Sequence, residues 1–180
     1  MPTLYLQRHT RPDIDPKICY GQSDIELHPS YSEADLPKVI ERLQGVKVPR
    51  IYSSTLMRCH RLATDLQATV GAKEVALDSR LMEMNFGDWE LTPWDDIYAT
   101  QSGKEWFQNY LHHKTPNGEA FIDVVDRAAS LLKDIRLTDD TLVVTHGGFI
   151  RAMLVATQQQ PLDRVFEVEI NYGDLIEIKL

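Results

Sequence analysis

Two histidines stand directly after short apolar runs: His9 follows Thr3-Leu-Tyr-Leu-Gln7 and Arg8, and His146 follows Thr141-Leu-Val-Val-Thr145. A lone histidine in such a place is more often structural than catalytic, but the neighbours change that balance. Arg8 adjoins His9, Arg58 lies in the opening turns of a helical run, and Gly147-Gly148 follow His146 ahead of another. Guanidinium groups bind phosphate oxygens in bidentate fashion, and exposed N–H groups at a helix start add a further anion site. Gly147 and Gly148 let the backbone come close to such an anion. These residue types suit the binding and transfer of a phosphoryl group.

The elements that must position them can be read from periodicity. Residues 3–7 alternate like a strand and run into Arg8-His9, and a long ordered loop holding Pro12, Pro16, Gly21 and Pro29 follows over 11–31. Ser32 is expected to cap a helix carrying Leu36, Val39, Ile40 and Leu43, with Pro37 in its first turns and Gly45 at its end. A short strand at 50–52 precedes a helix capped by Ser53, Ser54 or Thr55, and residues 74–77 alternate like another strand. Residues 81–90 read as loop. Thr92-Pro93 opens an aromatic-rich helical hairpin reaching Leu111, with Pro93 at the first helical position. Residues 121–135 show the strongest helical spacing in the chain. Strand 141–145 leads through the two glycines into a helix, and 165–170 with 175–180 read as two alternating strands around Tyr172-Gly173-Asp174.

Strands alternating with helices predict a three-layer α/β fold, with a mainly parallel sheet, helices on both faces and an antiparallel carboxy-terminal pair. Sites in such sheets lie at the carboxyl ends of strands, so if strands 3–7 and 141–145 are neighbours, His9 and His146 share one crevice.

Composition narrows the partners. The 180 residues carry 19 Lys and Arg against 27 Asp and Glu, a net charge of −8, with 43% hydrophobic residues. One domain is the expectation at this length. An acidic chain without a Lys/Arg run argues against nucleic acid and anionic membranes as partners, so any anion site must be local. The longest apolar stretches fall far short of the ~20 residues that span a bilayer, and the amino terminus lacks the pattern of a signal peptide. A cytoplasmic protein is expected. Cys19 and Cys59 fit neither a disulfide framework nor a metal-ligand pairing, and read as inert thiols.

Four segments together resemble the histidine phosphatase superfamily, the phosphoglycerate-mutase-like fold. They are Arg8-His9-Thr10, Ser53-Ser-Thr-Leu-Met-Arg58, Leu81-Met-Glu-Met-Asn-Phe-Gly-Asp-Trp-Glu90 and Thr145-His-Gly-Gly-Phe-Ile-Arg151. The resemblance spans nearly the whole chain and implies one such domain over 1–180, with an aromatic-rich helical insertion around 91–117. It implies His9 as the nucleophile, Arg8 and Arg58 as phosphate-binding arginines, His146 as the second pocket histidine and Glu83 as the proton donor. Arg8, Arg58 and His146 would stabilise charge on the equatorial oxygens, and Glu83 would protonate the leaving alkoxide and then activate water. Asp88 and Glu90 compete with Glu83 for that role.

Around the nucleophile the chain departs from the family, which usually shows glycine and then an acidic or amide residue, with an asparagine further on. Thr10, Arg11 and Asp15 stand there instead. Thr10, Arg11, Gly147 and Gln22, the last matching a family glutamine near the phosphate, complete the candidate substrate contacts, with Arg11 adding positive charge at the mouth. No metal and no cofactor is expected. His112-His113 reads as surface loop, His60 as a packed side chain, Arg151 as structural, and Arg127 with Glu119 as a structural pair near the pocket. The aromatics Trp94, Tyr98, Trp106, Phe107 and Tyr110 read either as core or as a stacking wall for a flat substrate.

Within the family, Arg8-His-Thr-Arg-Pro-Asp-Ile14 and Ile18-Cys-Tyr-Gly-Gln-Ser-Asp24 look most like the α-ribazole-5′-phosphate phosphatases of cobalamin assembly. That implies a small phosphomonoester as substrate and hydrolysis rather than mutase activity. A broad-specificity phosphatase, a protein phosphohistidine phosphatase and a phosphate-binding module without turnover remain the alternatives. Monomer and homodimer are both left open.

Overall fold

The uniformly apolar interior of Thr141–Thr145 reflects its place in the sheet. This strand, β4, is buried at every residue because helices cover both of its faces. The computed structural model describes residues 1–135 and 138–180. Their strands β1 (Thr3–Arg8), β2 (Arg50–Ser53), β3 (Glu74–Leu77), β4 and β5 (Leu175–Lys179) form one sheet in the order β3-β2-β4-β1-β5. β1 to β4 run parallel, and β5 lies antiparallel on β1.

Alternation on the strands sorts side chains into two cores. Ile51, Leu142 and Val144 face α1 (Leu36–Arg42) and α2 (Met57–Val70), meeting Val39, Leu62 and Leu66. Leu4, Leu6 and Val143 face α5 (Phe121–Asp134) and α6 (Gly147–Ala156), meeting Val124, Ala128, Leu131, Phe149 and Met153. The fold is the three-layer α/β arrangement expected. Between the layers' ends, the hairpin α3 (Trp94–Ala99) and α4 (Gln101–Gln108) buries Ile97 and Trp106 in the second of these cores.

Local expectations fail where long-range contacts outweigh them. Residues 165–170 form no strand: Leu162–Glu167 make a short 3₁₀ helix that buries Val165, and Phe166 packs on Tyr110 and Phe121. The open edge of β1 is taken by β5, so the tail contributes one antiparallel strand rather than a pair. Ser32 is not a cap. It lies inside a π-helical turn, Tyr31–Asp35, and the hydroxyl of Ser30 bonds Asp35 instead. Pro93 precedes α3 rather than opening it. The loop 11–31 is pinned by pairings of Pro12 with Leu27 and of Ile18 with Pro93. From that loop Asp24 accepts the Met57 N–H at 2.8 Å, capping α2 and thereby placing Arg58. Among the described residues no helix is long and apolar enough to cross a membrane.

Candidate active site

Because β1 and β4 pair in parallel with Arg8 opposite Thr145, the next residue of each strand is a histidine at the same carboxyl edge. The His9 N–H donates to the Thr145 carbonyl at 2.9 Å, and the two imidazole centroids lie 5.0 Å apart. Both rings are buried. His9 Nδ1 lies 2.6 Å from the Thr10 carbonyl, a partner that can only accept, so Nδ1 carries the proton and Nε2 the free lone pair. Burial, then the charges of Arg58 and Arg8, hold His9 well below the ordinary histidine range against the Thr10 bond. Burial and Arg58 do the same to His146. His146 Nε2 lies 2.9 Å from the Ser54 hydroxyl, with the Cys59 sulfur at 3.4 Å from the same nitrogen.

The two arginines bring charge without its usual compensation. Arg58 is fully buried, donating to the carbonyls of Ser23 at 2.8 Å and Gly21 at 2.6 Å. Arg8 donates to the Ile170 carbonyl at 2.6 Å, and its guanidinium stands 4.0 Å over the Tyr172 ring. The Nε atoms of both are buried without a partner, and neither side chain forms an ion pair among the described residues. A buried cation lacking a carboxylate is unfavourable unless an anion arrives, so the arrangement suits a phosphate group.

Glu83 is held at both ends. Its carboxylate accepts the N–H groups of Met84 and Gly148, each at 3.0 Å. A Cβ on Gly148 would fall 2.2 Å from Glu83 Oε1, so only glycine leaves room for that carboxylate. The first-turn amide of α6 at Gly148 thus engages the glutamate, and not solely an incoming anion as the glycine turn suggested. The Glu83 carbonyl accepts from Gln22 Nε2 at 3.0 Å and from Arg127 at 3.3 Å. Arg127 in turn makes a bidentate pair with Glu119 at 2.8 and 3.0 Å. The competing acids are otherwise engaged. Burial works against ionised Glu90, but bonds from the Ser23 hydroxyl and the amides of Gly21, Gln22 and Phe86 prevail and hold it below the usual carboxylate range. Asp88 accepts from the Asn117 side chain at 2.9 Å.

A cavity of about 290 Å³ opens beside His9. Arg8, His9, Glu83, Gly147 and Gly148 supply its polar wall, while Phe86, Trp94, Trp106, Tyr110, Phe121 and Phe166 supply an aromatic one. Those rings interlock, with Phe86 on Trp94 at 5.4 Å and Phe121 on Phe166 at 4.7 Å, so several serve as core and as wall together. Tyr98 and Phe107 are exposed and outside it.

The sequence-derived candidates divide accordingly. His9, Arg8, Glu83 and Gly147 line the cavity, while Arg58 and His146 are fully buried and outside its lining. Gln22 reaches the site only through the Glu83 carbonyl. Thr10 lends its carbonyl to His9 but lines a different cleft. Arg11 is corrected outright: it is exposed, bonds Ser30 at 2.8 Å and does not line the mouth. Asp15 accepts the Lys17 N–H at the surface. His60 is exposed rather than packed, and His112 and His113 are exposed. Sequence reasoning missed Tyr20, Tyr172 and Phe166 as lining residues and read Arg151, also in the wall, as structural. Arg151 does brace α6, donating to the Val168 carbonyl at 2.9 Å. Apart from the tyrosine's place in a turn signal, no pattern in the chain marks Tyr172.

Comparison with known proteins agrees with the geometry. The "Putative phosphoserine phosphatase 2" of Hydrogenobacter thermophilus is 27% identical over 191 residues, covering 100% of this chain and 90% of that protein. The solved structure of Bacillus stearothermophilus YhfR is 28% identical with a TM-score of 0.84, covering 100% of this chain and 92% of that one. The α-ribazole phosphatase of Shigella flexneri superposes with a TM-score of 0.86 over 99% of this chain and 90% of its own, at 20% identity, a likeness of fold. The model of the histidine phosphatase superfamily, branch 1, matches residues 4–180, and the chain belongs to that superfamily.

Proposed function

We propose that the protein is a phosphomonoesterase that works through a phosphohistidine on His9. The observation that carries this reading is the tautomer of His9. With its proton on Nδ1 bonded to the Thr10 carbonyl, and with burial and two guanidiniums opposing further protonation, Nε2 keeps a lone pair for attack on phosphorus.

In the first step Nε2 forms a bond to phosphorus, the ester P–O bond breaks, and the departing alkoxide takes the proton of the Glu83 carboxyl. In the second, Glu83 as carboxylate takes a proton from water, the hydroxide attacks phosphorus, and the P–N bond breaks to release phosphate. Arg8 and Arg58 stabilise charge on the phosphoryl oxygens, with His146 buried directly beside His9.

For the leaving group we propose the nucleoside of α-ribazole 5′-phosphate, placing the enzyme in assembly of the cobalamin nucleotide loop. The support is the aromatic wall, whose rings suit a flat heterocycle, together with the motif likeness at residues 8–24. The test is phosphate release in excess EDTA from α-ribazole 5′-phosphate, ordinary nucleoside monophosphates, 3-phosphoglycerate, phosphoserine and a phosphohistidine peptide. Preference for the ribazole ester, lost in His9→Ala with the fold intact, is expected. Similar rates on all esters would keep the mechanism and remove the substrate. A panel without release would leave a phosphate-binding module.

A further inference from the structure

A second cleft, of about 200 Å³, shares Tyr172 with the cavity beside His9. Its walls include Arg11, Lys38 and Arg42, with Asp35 as the one carboxylate among the lining residues. With Asp174 bonded to Arg42, three cations face two acids, a local positive excess on a chain whose net charge is −8. Their ion pairs are weak, although Arg11 also donates to the Ser30 hydroxyl at 2.8 Å. Arg11 and Asp35 are 4.0 Å apart with the arginine half exposed, and Arg42 meets Asp174 at 3.2 Å while its guanidinium also donates to the Gly173 carbonyl. Exposed pairs of this kind contribute little and yield readily to a dianion. Lys38, in the exposed face of α1, makes no ion pair among the described residues.

An independent observation comes from Thr10. This residue is only 2% exposed and lines the cleft, and its solvent-shielded hydroxyl has no hydrogen-bond partner among the described residues. Buried hydroxyls are normally satisfied, so an unpaired one beside three cations is a donor in need of an acceptor. Two guanidiniums, an ammonium and a hydroxyl match the several oxygens of a phosphate group better than the two of a carboxylate.

We propose that this cleft is a second anion site, taking the phosphate group of a small molecule other than the ester held at His9. It does not depend on the catalytic reading, although that reading adds a phosphate site of its own. The experiment is calorimetric titration with inorganic phosphate of the wild type, Lys38→Glu and Arg8→Ala, joined to amide chemical shifts of Asp35 and Arg42, which line the cleft and do not bond His9. Lys38 is exposed on a helix, so its charge reversal leaves the fold in place.

The expected result is two phosphates per wild-type chain. Lys38→Glu should weaken one of them at least tenfold, leave the other within twofold, and abolish the shifts at Asp35 and Arg42. One phosphate per chain that is insensitive to Lys38→Glu overturns the proposal, as do two that both survive it. A single phosphate lost in Lys38→Glu but kept in Arg8→Ala would uphold the cleft and count against the catalytic site.

Discussion

The phenol oxygens of Tyr20 and Tyr172 lie 2.6 Å apart, joining the long loop after β1 to the turn before β5 across the cavity. Each ring also faces an arginine: Tyr172 stands 4.0 Å from the Arg8 guanidinium and Tyr20 5.3 Å from that of Arg58. The pair therefore links the two cations that sequence motifs assign to phosphate.

Substitutions at Tyr172 separate the phenol from the ring. Tyr172→Phe removes a hydrogen bond worth about 1 kcal/mol, so inhibition by inorganic phosphate should weaken roughly fivefold. Tyr172→Leu also removes the face over Arg8, worth about 0.5–2 kcal/mol more, and should weaken inhibition further. Equal inhibition constants for the two variants would show that the ring does not hold Arg8.

The depressed basicity of His9 and His146 makes stability depend on pH. Unfolding returns both to the ordinary value of about 6.5, so below that pH the unfolded chain binds more protons than the folded one. Their contribution is intact above pH ~6.5 and declines as the pH falls toward their lower folded values, by at most about 2.7 kcal/mol per pH unit for the two together. Urea unfolding at pH 7.5, 6.5 and 5.5 should show the midpoint dropping. A level midpoint would mean that both rings accept protons in the folded state.

Gly148→Ala puts a methyl where the Glu83 carboxylate sits. The carboxylate must move, and turnover of alkyl phosphates should fall roughly 10²-fold, the lower bound of a displaced general acid. Hydrolysis of 4-nitrophenyl phosphate, whose leaving group needs no proton, should fall far less. Unchanged alkyl turnover would place the proton donor elsewhere.

Glu83→Gln and Arg127→Met should share that dependence on leaving group. Arg127 does not line the cavity; it secures the segment before Glu83 through the Glu119 pair and the Met82 carbonyl at 3.1 Å. A positioning role predicts a steeper plot of log kcat against leaving-group pKa in both variants, with a smaller change in slope for Arg127→Met. An Arg127→Met variant that loses equally on all esters would instead be a folding defect.

What the chain determined by itself was the layering and the placing of a histidine directly after each of two apolar strands. Helical spacing in 121–135, the uninterrupted apolar run of β4 and the glycines after His146 are local patterns, each set by residues within a few positions of one another. Once β1 and β4 pair, His9 and His146 must meet, because each directly follows the pairing of Arg8 with Thr145. Motifs supplied Arg58 and Glu83, which no periodicity marks.

Tertiary structure alone decided the rest. Residues 162–167 became a 3₁₀ helix because Phe166 finds Tyr110 and Phe121, more than 40 positions away in the chain. Arg11 left the mouth because Ser30 and Asp35 hold it elsewhere, and Tyr172 entered the site because the turn before β5 folds back over Arg8. Such contacts form between surfaces assembled from distant segments. Their energies depend on distances that neighbouring residues do not encode.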